Sequence, residues 1–215
     1  MKDTRFIVVE GPIGVGKTSL ARILSKELNG RLILENPEEN PFLSSFYTDR
    51  RRHAFQTQLF FLISRYRQHQ ELSQMDLFEK VVISDYFFQK DRIFAGVNLD
   101  SAELELYDQV YSLLNPYIPE PDLILFLQAN TDILMERIRM RGKGYEKGIS
   151  LEYLDELNQA YTNFIFHYSG SPLLVIETTD IDFVNNREDL DDLINEIKRT
   201  KKGIHYYVPM GRRER

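Results

Sequence analysis

Short apolar runs alternate along the chain with longer stretches of helical periodicity. The runs are Phe6–Val9, Leu32–Leu34, Val81–Ile83, Leu123–Leu127 and Leu173–Ile176. None of them alternates apolar with polar residues, which is the pattern of strands buried on both faces. Between the runs, apolar residues recur at spacings of three and four. Helices are expected over Lys17–Leu28, Arg51–Leu72, Tyr86–Ala95, Ala102–Leu114, Thr131–Arg141 and Leu151–Tyr168. Leu190, Leu193, Ile194 and Ile197 share one face of a last helix. The alternation predicts an α/β fold: a five-stranded parallel sheet covered by helices on both faces. Such sheets bind ligands beyond the carboxyl ends of their strands. Glu10-Gly11, Glu35 and Asp85 are therefore the positions to inspect. The spacing reads as a single domain over 1–202, with a mobile glycine-marked segment at about 141–150. A basic, loosely held tail is expected over 203–215.

Composition narrows the function. The chain has 215 residues, 42% of them hydrophobic, which is enough for a sizeable core. The 27 basic residues are outnumbered by 33 acidic ones, for a net charge of −6. A globally acidic surface argues against nucleic acid or an anionic membrane as partner. There is no cysteine, which excludes disulfides, thiolate metal sites and cysteine nucleophiles. No apolar run approaches the roughly 18 residues of a membrane span. The start, MKDTRFIVVEG, has too short an apolar run for a secretory leader. A cytoplasmic location is the expectation.

The chemistry is concentrated in Gly11-Pro12-Ile13-Gly14-Val15-Gly16-Lys17-Thr18, which fits G-x-x-x-x-G-K-[ST] between a strand and a helix. The glycines Gly11, Gly14 and Gly16, with Val15, let backbone N–H groups close around phosphate oxygens at a helix N-terminus that also carries Ser19. Lys17 can reach the β- and γ-phosphates of ATP, and the Thr18 hydroxyl can ligate Mg²⁺. Asp85, after the third strand, can complete the Mg²⁺ site or cap the next helix. The chain lacks D-x-x-G and N-K-x-D, which argues against a GTPase switch. The segment Arg137–Glu146 is rich in Arg and Gly and suits a small-molecule kinase with a lid. Arg137 and Arg141 share a helix face and can stabilise charge on a transferring phosphoryl group, with Lys143 beside them. A solvated basic helix end is the alternative.

Four blocks, GPIGVGKTSL, ENPFLSSFY with AFQTQLFFLISRYRQ, SDYFFQKDRIFA, and ERIRMRGKGYEKGISLEYL, resemble the deoxynucleoside kinase family. That family includes the deoxycytidine, deoxyguanosine and bacterial deoxyadenosine kinases. The similarity runs through Arg5–Tyr168. It implies a P-loop sheet with a lid, and transfer of a γ-phosphoryl group from ATP to a deoxynucleoside 5′-hydroxyl in nucleotide salvage. On this resemblance Glu35 is the general base, and Tyr47 with Glu146 holds the sugar 3′-hydroxyl. Gln58 reads the base edge. Arg65 with Asp91 is the pair of the purine- and cytosine-using branches, so a purine deoxynucleoside is the leaning. Phe42, Phe55, Phe61 and Phe88 could stack on a base but read more readily as core.

Two positions depart from the family pattern. Asn36 intervenes between Glu35 and Pro37. Tyr86 stands where the family carries an arginine that orients the phosphates and the base carboxylate, and Lys90 or Arg92 is the expected substitute. A thymidylate-type monophosphate kinase, or a catalytically weak nucleotide-binding protein, are the alternatives. His53, His69, His167 and His205 show no zinc spacing and read as ordinary helix or tail residues. The resemblance further implies a homodimer, for which the aromatic helix Arg51–Leu72 is a candidate surface.

Overall fold

The computed structural model describes residues 6–73 and 81–209. The basic pair Arg212-Arg213 and the first five residues lie outside that range. Six strands form one sheet: β1 Phe6–Glu10, β2 Arg31–Ile33, β3 Val82–Ser84, β4 Leu123–Gln128, β5 Leu173–Glu177 and β6 Ile204–Tyr207. Their order is β2-β3-β1-β4-β5-β6, and every neighbouring pair is parallel. The expected five-stranded sheet is therefore corrected to six strands. The sixth lies in the segment expected to be a loose tail, so the domain continues past residue 202. Gly203 takes φ +90°, and its carbonyl accepts from the Leu173 N–H, which starts the pairing with β5. In the short run Ile204–Tyr207 only the two end residues are half-buried, while His205 and Tyr206 are exposed, so it carries a weaker apolar signal than the central strands.

The helices are α1 Lys17–Glu27, α2 Leu43–Thr48, α3 Arg50–Ser73, α4 Lys90–Asn98, α5 Ser101–Leu114, α6 Thr131–Arg141, α7 Leu151–His167 and α8 Arg187–Arg199. Short 3-10 turns add Pro37–Glu39, Asn115–Tyr117 and Gly144–Gly148. One apolar layer gathers Ile7, Val9, Leu125, Leu127, Leu174 and Ile176 with residues of α1, α6 and α8. The opposite faces of the same strands, at Val8, Ile124, Phe126 and Val175, pack with Tyr161 and Ile165 of α7. Burying one such side chain contributes roughly 1.5–3 kcal/mol, so the two layers rather than any single helix hold the sheet together.

The start of α4 differs from the expected helix over Tyr86–Ala95. Residues 86–89 form a turn instead, because the buried Glu10 carboxylate accepts from the Phe87 N–H at 2.7 Å and Tyr86 is wholly buried. The same carboxylate accepts from Gly11 N–H and from the Tyr161 hydroxyl, each at 2.8 Å. One side chain thus joins the end of β1, the turn after β3 and α7.

Candidate active site

The glycine loop leaves β1 and enters α1 through three positive-φ residues, Gly11, Gly14 and Gly16. Gly14 (φ +88°) lies so close to α6 that a Cβ would meet the Leu134 carbonyl oxygen at 2.7 Å and the Ile138 side chain at 2.9 Å. Gly16 (φ +107°) is the residue preceding the helix. Lys17, the first residue of α1, turns its ammonium back onto the loop and donates to the carbonyls of Gly11 and Pro12 at 2.8 and 2.9 Å. Burial, with the ammonium of Lys90 nearby, lowers the Lys17 pKa to about 8 against the pull of Glu10, Glu35 and Asp85. Thr18 donates its hydroxyl to Asp85 Oδ2 at 2.5 Å, and Asp85 Oδ1 accepts from the Glu35 N–H at 2.7 Å. Burial raises the Asp85 pKa, opposed by those two hydrogen bonds. The first turn of α1 and the segments that follow β2 and β3 are thereby tied at one point.

Beside this point opens a cavity of about 440 Å³, within the ~300–1,000 Å³ range of small-molecule sites. Glu35 sits on its wall between two cations. Lys90 donates to Oε2 at 2.7 Å, and the Arg65 guanidinium donates to Oε1. Burial alone would raise the Glu35 pKa, but Arg65 and Lys90 outweigh it and hold the carboxylate down at about 2. Arg65 is itself an ion-pair partner of Asp91, stands 4.8 Å over the Phe61 ring and 5.8 Å from that of Tyr86. Gln58 is buried two helical turns before Arg65 on α3 and lines the same cavity.

The far wall comes from α2 and the lid turn Gly144–Gly148. Gly148 touches the Tyr47 backbone so closely that its Cβ would collide with the Tyr47 carbonyl. Tyr47 and Glu146 therefore line one cavity from two elements. Burial, reinforced by Tyr153 and Glu146, pushes the Tyr47 pKa well above the usual phenol value, so the phenol stays a proton donor. Burial likewise raises Glu146, while Arg141 opposes it through bonds of 3.1 and 2.5 Å. Lys143 closes the rim against Glu38 at 2.5 Å.

Most of the expected site residues converge here: Gly14, Gly16, Lys17, Thr18, Ser19, Glu35, Tyr47, Gln58, Arg65, Asp85, Arg141, Lys143 and Glu146 all line the cavity. Four sit behind it. Gly11 packs on the Leu127 carbonyl, and Val15 is buried in the apolar layer. Asp91 is reached only through Arg65. Arg137 does not face the cavity with Arg141. It donates to the Thr178 carbonyl at 2.7 Å and hydroxyl at 3.1 Å, bracing the end of β5 against the Val15 carbonyl. Of the four phenylalanines, Phe61 lines the cavity, while Phe88 is buried against Tyr111. Thr57, Phe94, Tyr145 and Tyr153 also line it and were missed. Tyr153 and Phe94 lie in amphipathic helices, where nothing in the periodicity separates a cavity wall from core.

A parallel sheet with a phosphate loop on its first strand, an acid ending the third and a basic lid defines a P-loop kinase. The chain belongs to the deoxynucleoside kinase family, whose sequence model matches residues 7–201. It is 37% identical over 203 residues to the deoxyguanosine kinase of Bacillus subtilis (strain 168), covering 92% of this chain and 98% of that one. It is 30% identical over 215 residues to the deoxyadenosine kinase of Lactobacillus acidophilus, covering 92% and 97%. The solved structure of deoxyadenosine kinase from M. mycoides with bound dATP superposes with a TM-score of 0.78 at 25% identity, over 90% of this chain and 99% of that one. The protein is thus a nucleoside kinase that uses a nucleotide phosphate donor.

Proposed function

We propose that the protein transfers the γ-phosphoryl group of ATP to the 5′-hydroxyl of a purine deoxynucleoside, acting in the cytoplasm as a homodimer. The observation that carries this is the placement of Glu35. Its carboxylate faces the space between the phosphate loop and the Gln58 amide, where an acceptor hydroxyl would meet a terminal phosphate. In this reading the donor phosphates lie in the loop under Lys17, with Arg141 and Lys143 closing from the lid. The oxygens of Thr18 and Asp85, already within 2.5 Å of each other, fit the all-oxygen preference of Mg²⁺. When bound, that ion would neutralise phosphate charge. Glu35 accepts the 5′-hydroxyl hydrogen bond and takes its proton. Tyr47 donates to the 3′-hydroxyl, and Glu146 accepts from it. Gln58 offers an amide donor and acceptor to the base edge, and Asp91 fixes Arg65 beside it.

The relatives named as deoxyguanosine and deoxyadenosine kinases support the purine leaning. The test is ADP release with ATP and each of the four deoxynucleosides, and with their 5′-monophosphates. Deoxyguanosine and deoxyadenosine are expected to exceed deoxycytidine, with thymidine and all monophosphates near background. Turnover with monophosphates above that with deoxynucleosides would overturn the reading.

A further inference from the structure

Glu10 ends β1 and is only 2% exposed. Its surroundings are apolar: Phe87, Ile124, Phe126 and Leu173 close around it. An acidic side chain in such a place is costly unless hydrogen bonds replace its water. Three donors do so. Oε1 accepts from the Gly11 N–H and the Tyr161 hydroxyl, each at 2.8 Å, and Oε2 accepts from the Phe87 N–H at 2.7 Å. Two of the three are backbone groups that can only donate. The site therefore needs an acceptor on both oxygens, which a carboxylate supplies and an amide does not.

The two backbone donors lead to opposite sides of the proposed donor site. Gly11 opens the phosphate loop, and its carbonyl accepts from the Lys17 ammonium at 2.8 Å. Phe87 lies two residues after Asp85, and its carbonyl accepts from the Lys90 N–H at 3.1 Å. The loop helix and this turn are also joined on the cavity side, where Thr18 donates to Asp85 at 2.5 Å. Both oxygens of that bond are those proposed above to hold Mg²⁺, so this tie is not available once the donor is bound. Glu10 does not line the cavity, and its bonds are free of that demand.

We propose that Glu10 is a positioning residue for phosphoryl transfer: its carboxylate, bonded at once to the first residue of the phosphate loop and to the turn after Asp85, sets the spacing between the loop and that strand end while the donor is bound. The inference rests on the transfer proposed above. Glu10 acts through Gly11 and Asp85 and touches no reacting atom. The Tyr161 hydroxyl fastens the same carboxylate to α7, which carries none of the residues proposed to bind donor or acceptor.

Three variants separate positioning from support of the fold. In Glu10→Gln the amide nitrogen must face either the Phe87 N–H or the Gly11 N–H, so one backbone bond is lost. Its kcat, measured by ADP release well below the unfolding transition, is expected to fall by roughly tenfold, as a small misplacement of reacting groups brings. Calorimetry of a non-hydrolysable ATP analogue, which needs no turnover, is expected to show about fivefold weaker binding, with deoxyguanosine binding within twofold. Tyr161→Phe keeps both backbone bonds. It is expected to lower the melting temperature by about 2–4 °C and to hold kcat and analogue affinity within twofold. If Glu10→Gln keeps kcat within twofold, or weakens the analogue and deoxyguanosine equally, Glu10 only supports the fold and the proposal falls. It falls also if Tyr161→Phe loses as much kcat as Glu10→Gln. Should Glu10→Gln fail to fold, Glu10→Asp keeps both acceptors but is one methylene short, and the same ratio of analogue to deoxyguanosine binding decides. Absence of turnover in the parent protein would overturn the proposed function, while the binding ratio would still judge Glu10.

Discussion

Glu35 and His69 show two ways in which burial sets the charge state of a side chain. At Glu35 two cations overcome burial, so the carboxylate stays ionised at any physiological pH. Glu35→Gln keeps the shape and removes the proton acceptor. Turnover is expected to fall by roughly 10²-fold, measured by ADP release at saturating deoxynucleoside; unchanged turnover would sink the base assignment. At His69 burial wins: together with Arg65 it lowers the imidazole pKa to about 4, from 6.5. Its ring lies among those of Phe6, Tyr86 and Phe88 at 5.5–6.1 Å. The unfolded chain takes up a proton below pH 6.5 that the folded chain refuses until about pH 4. Stability is therefore full above pH 6.5 and declines as the pH falls from 6.5 to 4, by about 3 kcal/mol over that window at 1.36 kcal/mol per unit. Urea unfolding between pH 4 and 7 checks this. His69→Phe is expected to flatten the slope, whatever it does to stability at neutral pH.

Elements act here through the few places where they touch. The lid turn meets α2 at Gly148, whose missing Cβ lets the Glu146 segment lie directly against the Tyr47 backbone. Gly148→Ala must push the two apart, and with them the phenol and the carboxylate. The deoxynucleoside KM is expected to rise by about tenfold, with the ATP KM within twofold, because the phosphate loop lies on other elements. Equal rises in both would show the strain spreading through the fold. The start of α5 is a cleaner case. Asp100 accepts from Ala102 N–H and Glu103 N–H at 2.9 Å, and Glu103 returns a bond to the Asp100 N–H at 3.2 Å. Asp100→Ala breaks this box and is expected to cost about 1 kcal/mol of stability, read by thermal unfolding, without changing kcat.

At the scale of the whole molecule, the central strands and the long helices were legible because burial on both faces, or on one stripe, writes itself into apolar spacing. Lys17, Thr18 and Asp85 were legible because a phosphate loop needs those residue types at strand ends. Arg137 was not: its four-residue spacing from Arg141 is right for a shared face, but the Thr178 carbonyl at the end of β5 captures its guanidinium, and tertiary partners do not show in local sequence. The sixth strand escaped for a related reason. Ile204–Tyr207 is an edge strand with only partial burial, so its signal is weak, yet all four of its residues are in register with β5 from Leu173 to Ile176. Its contribution can be isolated by ending the chain at Lys202. That removes the half-buried Ile204 and Tyr207 and uncovers the ladder edge of β5, a loss of about 2 kcal/mol from apolar burial. For a domain of this size the melting temperature is expected to drop by about 4–8 °C. No β6 residue lines the cavity, so kcat and both KM values below the transition are expected to hold. The bared β5 edge offers unpaired N–H and C=O groups to other chains, so light scattering of the truncated protein is expected to rise with concentration. A truncated chain that melts with the parent protein would show that β6 adds nothing to the stability of the sheet.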